Sequence, residues 1–271
     1  MSKRSIFWFR RDLRLADNPA LLACLDEADE VIPLFILDDE ISERAGEHRR
    51  AFLANSLTVL NDSLGGALHV ISGNPVEVLT NLMKRYETTS IHSAFPFAPY
   101  GNTRDEELRS AGIKLEQIGS AYAVAPGRVL KGDGTPYKVY TPFYRAWLTH
   151  GWRAPVVAPK DPNWVTPKKS DQNIPNWKAP DGIALQESGE AVALLRFKKF
   201  LKESAEDYGD NRNIPGIEGT SKLSPHLRWG EIHPRTILAS LGQSKGHEVY
   251  RKEIAWREFY ADVLHNNPHT S

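Results

Sequence analysis

Residues 31–37 read Val-Ile-Pro-Leu-Phe-Ile-Leu and are stopped by Asp38, Asp39 and Glu40. Seven apolar residues without polar alternation mark a strand buried on both faces, the kind found in parallel sheets covered by helices. Working outward, residues 5–9 form a similar apolar run that ends in Arg10, Arg11 and Asp12. Between the two runs, Asn18-Pro19 has the pattern of a helix N-cap followed by proline in the first turn. On the far side, Phe52, Leu53, Leu57, Leu60 and Leu64 recur at helical spacing across residues 49–64. Residues 67–72 predict a third strand, and Asn74-Pro75 opens a helix reaching about Tyr86. Residues 90–95 and 113–118 predict two more strands around a helix near 102–110. Strands alternating with helices imply right-handed parallel crossovers. The expected fold is therefore α/β: a doubly wound, parallel, five-stranded domain over residues 1–128.

The rest of the chain reads differently. Residues 129–190 hold 8 of the 18 prolines together with Trp147, Trp152, Trp164 and Trp177. Proline restricts itself and the preceding residue, so residues 129–186 predict a long connector pinned to the surface by its aromatics. A short helix over 142–148 would carry Phe143, Tyr144 and Trp147. From 187 to 271 the pattern is helical, with apolar residues at 192, 194, 195, 197, 200 and 201. Ser224-Pro225 and His233-Pro234 look like N-cap and first-turn pairs, Gly230 ends the helix between them, and residues 250–264 predict a long final helix.

The 271 residues include 34 Lys+Arg, 34 Asp+Glu and one cysteine, with 41% hydrophobic and 25% charged residues. Such a composition excludes a disordered tail, a collagen-like chain and a disulfide scaffold. The first apolar run is too short for a secretory signal, and no uncharged stretch approaches the roughly 18 residues of a membrane helix. A soluble, cytoplasmic monomer is the expectation. The zero net charge hides an asymmetry: residues 1–128 carry 14 basic and 18 acidic side chains, residues 191–271 carry 12 and 10. A local basic face binds phosphate whatever the total charge, so a nucleic-acid partner is permitted. Neither a G-x-G-x-x-G after the first strand nor a P-loop is present, and the nine histidines show no metal-binding spacing. No metal is expected.

Two constellations carry chemistry. Gly219-Thr220-Ser221-Lys222-Leu223-Ser224-Pro225 places three hydroxyls and an ammonium before a helix start. This is either ordinary capping by Ser221 or Ser224 or a site for a phosphate group. In the last helix, Glu253, Trp256, Arg257 and Tyr260 stand at i, i+3, i+4 and i+7, with Tyr250 one turn earlier. A carboxylate, a guanidinium and large aromatics on one face suit a pocket for a flat base, with stacking from the indole and phosphate held by arginine. A plain Glu253–Arg257 ion pair beside exposed aromatics is the competing reading. The cluster Arg10, Arg11, Asp12, Arg14 and Asp17 follows the first strand and is read as an ion-pair network, and Asp38, Asp39 and Glu40 as a solvated loop.

Four segments in order identify a resemblance that runs nearly end to end. Residues 7–21, FWFRRDLRLADNPAL, residues 134–143, GTPYKVYTPF, the stretch from Tyr208 through Arg212 to Pro225, and residues 253–260, EIAWREFY, resemble signatures of the DNA photolyase/cryptochrome flavoprotein family. The resemblance implies an N-terminal antenna domain, a long connector and the beginning of an all-helical FAD-binding domain. It assigns Tyr208, Thr220, Ser221, Lys222, Leu223, Ser224 and Tyr250 to FAD, and Arg212, Glu253, Trp256, Arg257 and Tyr260 to DNA. Glu253 and Trp256 become the catalytic pair that meets a pyrimidine dimer. The implied reaction is light-driven repair of UV-damaged DNA, in which reduced FAD passes an electron to a cyclobutane pyrimidine dimer flipped from its duplex. Glu253 beside Trp256 favours this over a cryptochrome-like blue-light photoreceptor, the alternative; an α/β module without activity is a third reading. An antenna chromophore of folate or deazaflavin type is a further implication. Three departures stand out: Lys222 replaces a frequent Arg, Tyr250 a frequent Trp, and Ala98 a frequent acid in the segment Ala98-Pro-Tyr-Gly-Asn-Thr-Arg-Asp105. Family members continue well beyond residue 271, so a fragment that by itself binds FAD weakly or not at all is expected.

Overall fold

Strands Arg4–Phe9 (β1), Glu30–Leu37 (β2), His69–Ser72 (β3), Ser90–Phe95 (β4) and Leu115–Ser120 (β5) form one sheet in the order β3-β2-β1-β4-β5. Every neighbouring pair is parallel. These positions come from a computed structural model that describes residues 2–42, 44–88 and 90–270. Alternation along the central strands sorts their side chains between two cores. Ile6, Trp8, Ile32, Leu34 and Ile36 enter one, while Phe7, Phe9, Val31, Phe35 and Leu37 enter the other. Both faces are thus apolar, which is why the sequence shows runs rather than alternation. Burying each such side chain stabilises the fold by about 1.5–3 kcal/mol. Pro33 lies before the first β2–β3 pair, Leu34↔His69, so its missing N–H removes no bond to that strand.

Helices cover the sheet as a doubly wound layer. Pro19–Glu27 (α1) and, after the single turn Asp39–Ser42 (α2), Glu47–Ser63 (α3) pack on one face; Pro75–Tyr86 (α4) and Pro99–Ser110 (α5) pack on the other. The capping signals are met. Asn18 accepts from Leu21 N and Asn74 from Val76 N, each one residue before proline. The expected solvated loop at 38–40 is corrected: Asp39 and Glu40 begin α2, and Asp38 accepts from Glu40 N at its start.

The connector is pinned, as its aromatics suggested. Tyr140–His150 (α6) belongs to a third core, whereas Trp164, Ile174 and Trp177 pack against the sheet. Backbone bonds hold it there: Val31 N donates to Asn163 O at 2.9 Å, and Asn173 N to Val70 O at 3.0 Å. The third core is completed by Glu190–Glu203 (α7), Tyr208–Asn211 (α8), Ser224–Trp229 (α9), Pro234–Ala239 (α10) and Lys245–Asn266 (α11). No helix among the described residues is long and apolar enough to cross a membrane.

The Arg10–Asp17 segment joins the two regions as an ion-pair network. Leu13 N donates to Trp229 O at 3.0 Å, and Arg14 donates to Gly230 O and Asp17 O. Asp17 in turn binds Arg235 at 2.6 Å and His233 Nδ1 at 3.1 Å. Burial alone would raise the Asp17 carboxyl, but its contact with His233 and the hydrogen bonds and charge of Arg235 outweigh it and hold the group below its usual range. Burial pushes His233 down to about 4, so this imidazole is neutral in the native joint. Gly230, with φ +73°, terminates α9, and a Cβ there would lie 2.0 Å from the Arg11 carbonyl oxygen.

Candidate nucleic-acid and cofactor sites

The 22-residue helix α11 is capped by Ser244, whose hydroxyl accepts from His247 N. It buries Tyr250, Ile254, Ala255, Glu258, Phe259 and Asp262 and leaves Glu253, Trp256 and Tyr260 toward solvent. Those three residues share a face, as the spacing predicted. Trp256 lies flat on Tyr140 of α6, with ring centroids 3.6 Å apart and planes 8° from parallel, and stacks on Tyr260 at 5.5 Å. Tyr260 is 64% exposed, so the stack reaches the surface.

Glu253 pairs with Arg212, the residue closing α8, instead of with Arg257. The carboxylate raises the Arg212 guanidinium above its ordinary value. Both side chains are one-third exposed, and an ion pair with that much solvent contributes about 0–1 kcal/mol, so either partner is readily released to a ligand. Arg257 departs from the expected group. Its guanidinium donates to Ala121 O at 2.9 Å and Leu227 O at 3.3 Å and lies 4.7 Å over the Tyr122 ring. It thereby ties α11 to the segment after β5, because from the edge of that face its long side chain meets those carbonyls before it meets solvent.

The predicted cofactor residues divide in the same way. Tyr208, Ser221, Leu223 and Tyr250 are buried together: the Tyr250 hydroxyl donates to Ser221 Oγ at 2.8 Å, and its ring meets Tyr208 edge-on at 5.0 Å. Burial pushes the Tyr250 phenol up, so it stays protonated and donates. Thr220, Lys222 and Ser224 stay exposed, and Lys222 is paired with Glu218 at 2.5 Å. The simple capping reading is corrected, since Leu223 occupies the N-cap of α9 and no side chain caps it. Hydroxyls and free N–H groups at that end fit the phosphate part of a nucleotide cofactor. Tyr208 and Tyr250 present packed rings instead of a cavity for a flat ring system.

A cavity lies elsewhere. About 430 Å³ opens beyond the carboxyl ends of β1, β2 and β4, where the strand order switches direction. Seven arginines line it (Arg10, Arg11, Arg44, Arg49, Arg50, Arg104 and Arg228) against two acids, Asp38 and Glu40. Arg10 has only 8% of its side chain exposed, binds Asp105 at 2.8 Å, and leaves Nε and Nη2 without partners. Burial, then repulsion from Arg104, pushes Arg10 down to about 10. Arg228 keeps solvent access, yet the cleft walls desolvate it and Arg11 and Arg49 repel it, giving about 10 again. Such a surplus of cations favours an anionic ligand. Sequence reasoning placed Arg10 and Arg11 at a strand end but missed the convergence of Arg49, Arg50 and Arg228, which no local spacing signals. It missed Tyr140 as the partner of Trp256 for the same reason.

Known proteins place these features in a family. Residues 5–162 match the DNA photolyase family. A deoxyribodipyrimidine photo-lyase of Synechococcus is 31% identical over 99% of this chain and 62% of its own length. The crystal structure of a class III photolyase from Agrobacterium tumefaciens superposes with a TM-score of 0.87 at 31% identity, covering 99% of this chain and 60% of that one. An archaeal photolyase from Sulfolobus tokodaii, described with two FAD molecules and an implied novel light-harvesting cofactor, gives 0.82 at 26% identity, over 98% of this chain and 60% of that one. The chain thus spans about three-fifths of the length of these relatives. On the strength of both the sequence match and the superposed fold, the chain belongs to the DNA photolyase family.

Proposed function

We propose that this chain serves light-driven DNA repair, contributing the lesion-facing half of a site that splits cyclobutane pyrimidine dimers. The observation that carries the reading is the shared face of Glu253 and Trp256, with Trp256 seated flat on Tyr140 and Arg212 within reach. Trp256 replaces base stacking lost when the dimer leaves the duplex, a contribution of about 1–3 kcal/mol. Glu253, released from Arg212, accepts hydrogen bonds from the dimer, and Arg212 moves to a backbone phosphate. This exchange swaps one modest ion pair for two charge-assisted contacts. Tyr260 extends the stacking surface, while Arg257 holds α11 against the segment after β5 and acts on DNA only through that placement.

Thr220, Lys222 and Ser224 would hold the phosphates of FAD, with Ser221 fixed by Tyr250 behind them. Reduced FAD, when bound and excited, supplies the electron that opens the dimer. Residues 1–128, 129–186 and 187–271 then serve as antenna domain, connector and the first part of the flavin domain. The arginine-lined cavity suits a planar, anionic antenna chromophore of folate or deazaflavin type, with the free Arg10 nitrogens facing an acceptor on it.

Binding to an irradiated oligonucleotide and to its undamaged twin tests the reading, alongside a flavin spectrum after gel filtration. Preference for the irradiated strand, lost in Trp256→Ala and Glu253→Ala, is the expected result. Equal binding of both strands, unchanged by either substitution, would remove the lesion-facing role. Flavin photochemistry without light-dependent loss of dimers would favour light sensing instead.

A further inference from the structure

Two tyrosines stack on Trp256, and they are held very differently. Tyr140 lies on one face of the indole, with centroids 3.6 Å apart and planes 8° from parallel. Its hydroxyl donates to the Lys252 carbonyl at 2.8 Å, Tyr144 stacks on it at 5.8 Å, and Phe259 meets it edge-on at 5.9 Å. Tyr260 stands one turn further along α11 and stacks on the indole at 5.5 Å and 27°. It has no ring contact with Tyr140 among the described residues, which places it against the opposite face. Tyr260 is 64% exposed, and its hydroxyl has no hydrogen-bond partner among the described residues. Besides Trp256, its ring meets only Phe259, at 6.0 Å and 49°. One ring on the indole is therefore anchored and the other is loose.

The spacing decides what can enter. A base held between two rings needs them about 7 Å apart, twice the roughly 3.4 Å spacing of stacked bases. With centroids 5.5 Å apart, Trp256 and Tyr260 leave no such gap. The inner face is closed by Tyr140, whose own contacts keep it there. A flat ligand thus reaches Trp256 only on the outer face, and only when Tyr260 turns aside. That movement breaks no hydrogen bond and gives up little more than one aromatic pair.

We propose that Tyr260 is a positioning residue that stands in for a base, covering the outer face of Trp256 in the free protein and yielding it to the base that enters. The proposal rests on the lesion-facing reading only for the identity of that base. The indole is competent to stack only in the fraction of molecules whose Tyr260 has turned out, and the apparent affinity falls by that fraction. A stacked aromatic pair sets the factor at about two to ten.

A hydroxynitrobenzyl halide, which alkylates accessible indoles, tests the cover without DNA. Peptide mass spectrometry should show Trp256 reacting slowly in the parent and in Tyr260→Phe, which keeps the ring. In Tyr260→Ala it should react about two- to tenfold faster, while half-buried Trp164 keeps its rate. A short oligothymidine and the same strand after UV irradiation test the yielding. Both should bind Tyr260→Ala more tightly by that factor, through faster association, and should bind Tyr260→Phe as they bind the parent. An unchanged rate at Trp256 in Tyr260→Ala, or strands that bind this variant no more tightly than the parent, overturns the proposal. So does a Tyr260→Phe protein that behaves like Tyr260→Ala. A parent that binds both strands alike, with Tyr260→Ala tighter for both, sinks the lesion-facing reading and leaves the cover standing.

Discussion

In the α/β layer, strand alternation divides aliphatic side chains between two cores, whereas the helical region gathers aromatic rings from α6, α7, α8 and α11 into one. The sheet is covered on both faces. The helical region leaves Leu195 on α7 66% exposed and Tyr260 on α11 64% exposed. Its stability leans on polar ties from distant segments: Glu258 on Ala123 and Val124, Asp262 on Gly127, and Glu190 on Leu15 and Ala16. A backbone period sorts residues locally in the first region. In the second, side chains find partners tens to more than a hundred positions away, and that is where the candidate DNA face has formed.

The sharpest way to break this contrast is Trp147→Ala. It removes the largest ring of the aromatic core and a donor to Glu258, at a cost of about 3–5 kcal/mol. Hydrogen exchange should show α6 and α11 losing protection while β1 and β2 keep theirs; equal losses would mean one cooperative unit. Acid should loosen the joint next. His233 sits at about 4 in the folded protein against 6.5 unfolded, so the unfolded state binds the extra proton between those values. Stability is present above about 6.5 and falls as pH drops toward 4, by roughly 3 kcal/mol at most. Denaturation midpoints across that window check it, and His233→Gln, which keeps an acceptor for the Arg235 N–H, should flatten the slope. Asn74→Ala deletes the cap of α4 and should cost about 1 kcal/mol, felt in the sheet region alone. Smallest is Glu253→Gln: with the ion pair to Arg212 one-third exposed, the change in thermal stability should stay within about 1 kcal/mol. A larger loss would make that pair a structural tie of the helical region instead of an exchangeable one.

Legibility follows the same division. The runs at 5–9 and 31–37, the Asn-Pro caps of α1 and α4 and the Gly230 stop are local signals, and each element formed close to its expected place. The face of Glu253, Trp256 and Tyr260 was legible because helical periodicity alone defines it. Arg257 was not, since its direction depends on the Ala121 and Leu227 carbonyls brought in from other elements. Ser221 resembled its neighbours Thr220 and Ser224 in sequence but turned inward to Tyr250, a contact between α11 and the turn before α9.

By itself, the order of residues determined the parallel five-stranded layer, the helical character of the end and the family signatures, because hydrophobic period and turn chemistry act over a few neighbours. Tertiary structure alone decided which charges became free for a ligand and which were consumed as ties. It paired Glu253 with Arg212, laid Trp256 on Tyr140, and drew arginines from the turn after β1, from α3 and from α9 around one cavity. The physical reason is range: a charge or a ring takes its role from whatever lies within a few ångströms, and here those neighbours are separated by tens to hundreds of residues along the chain.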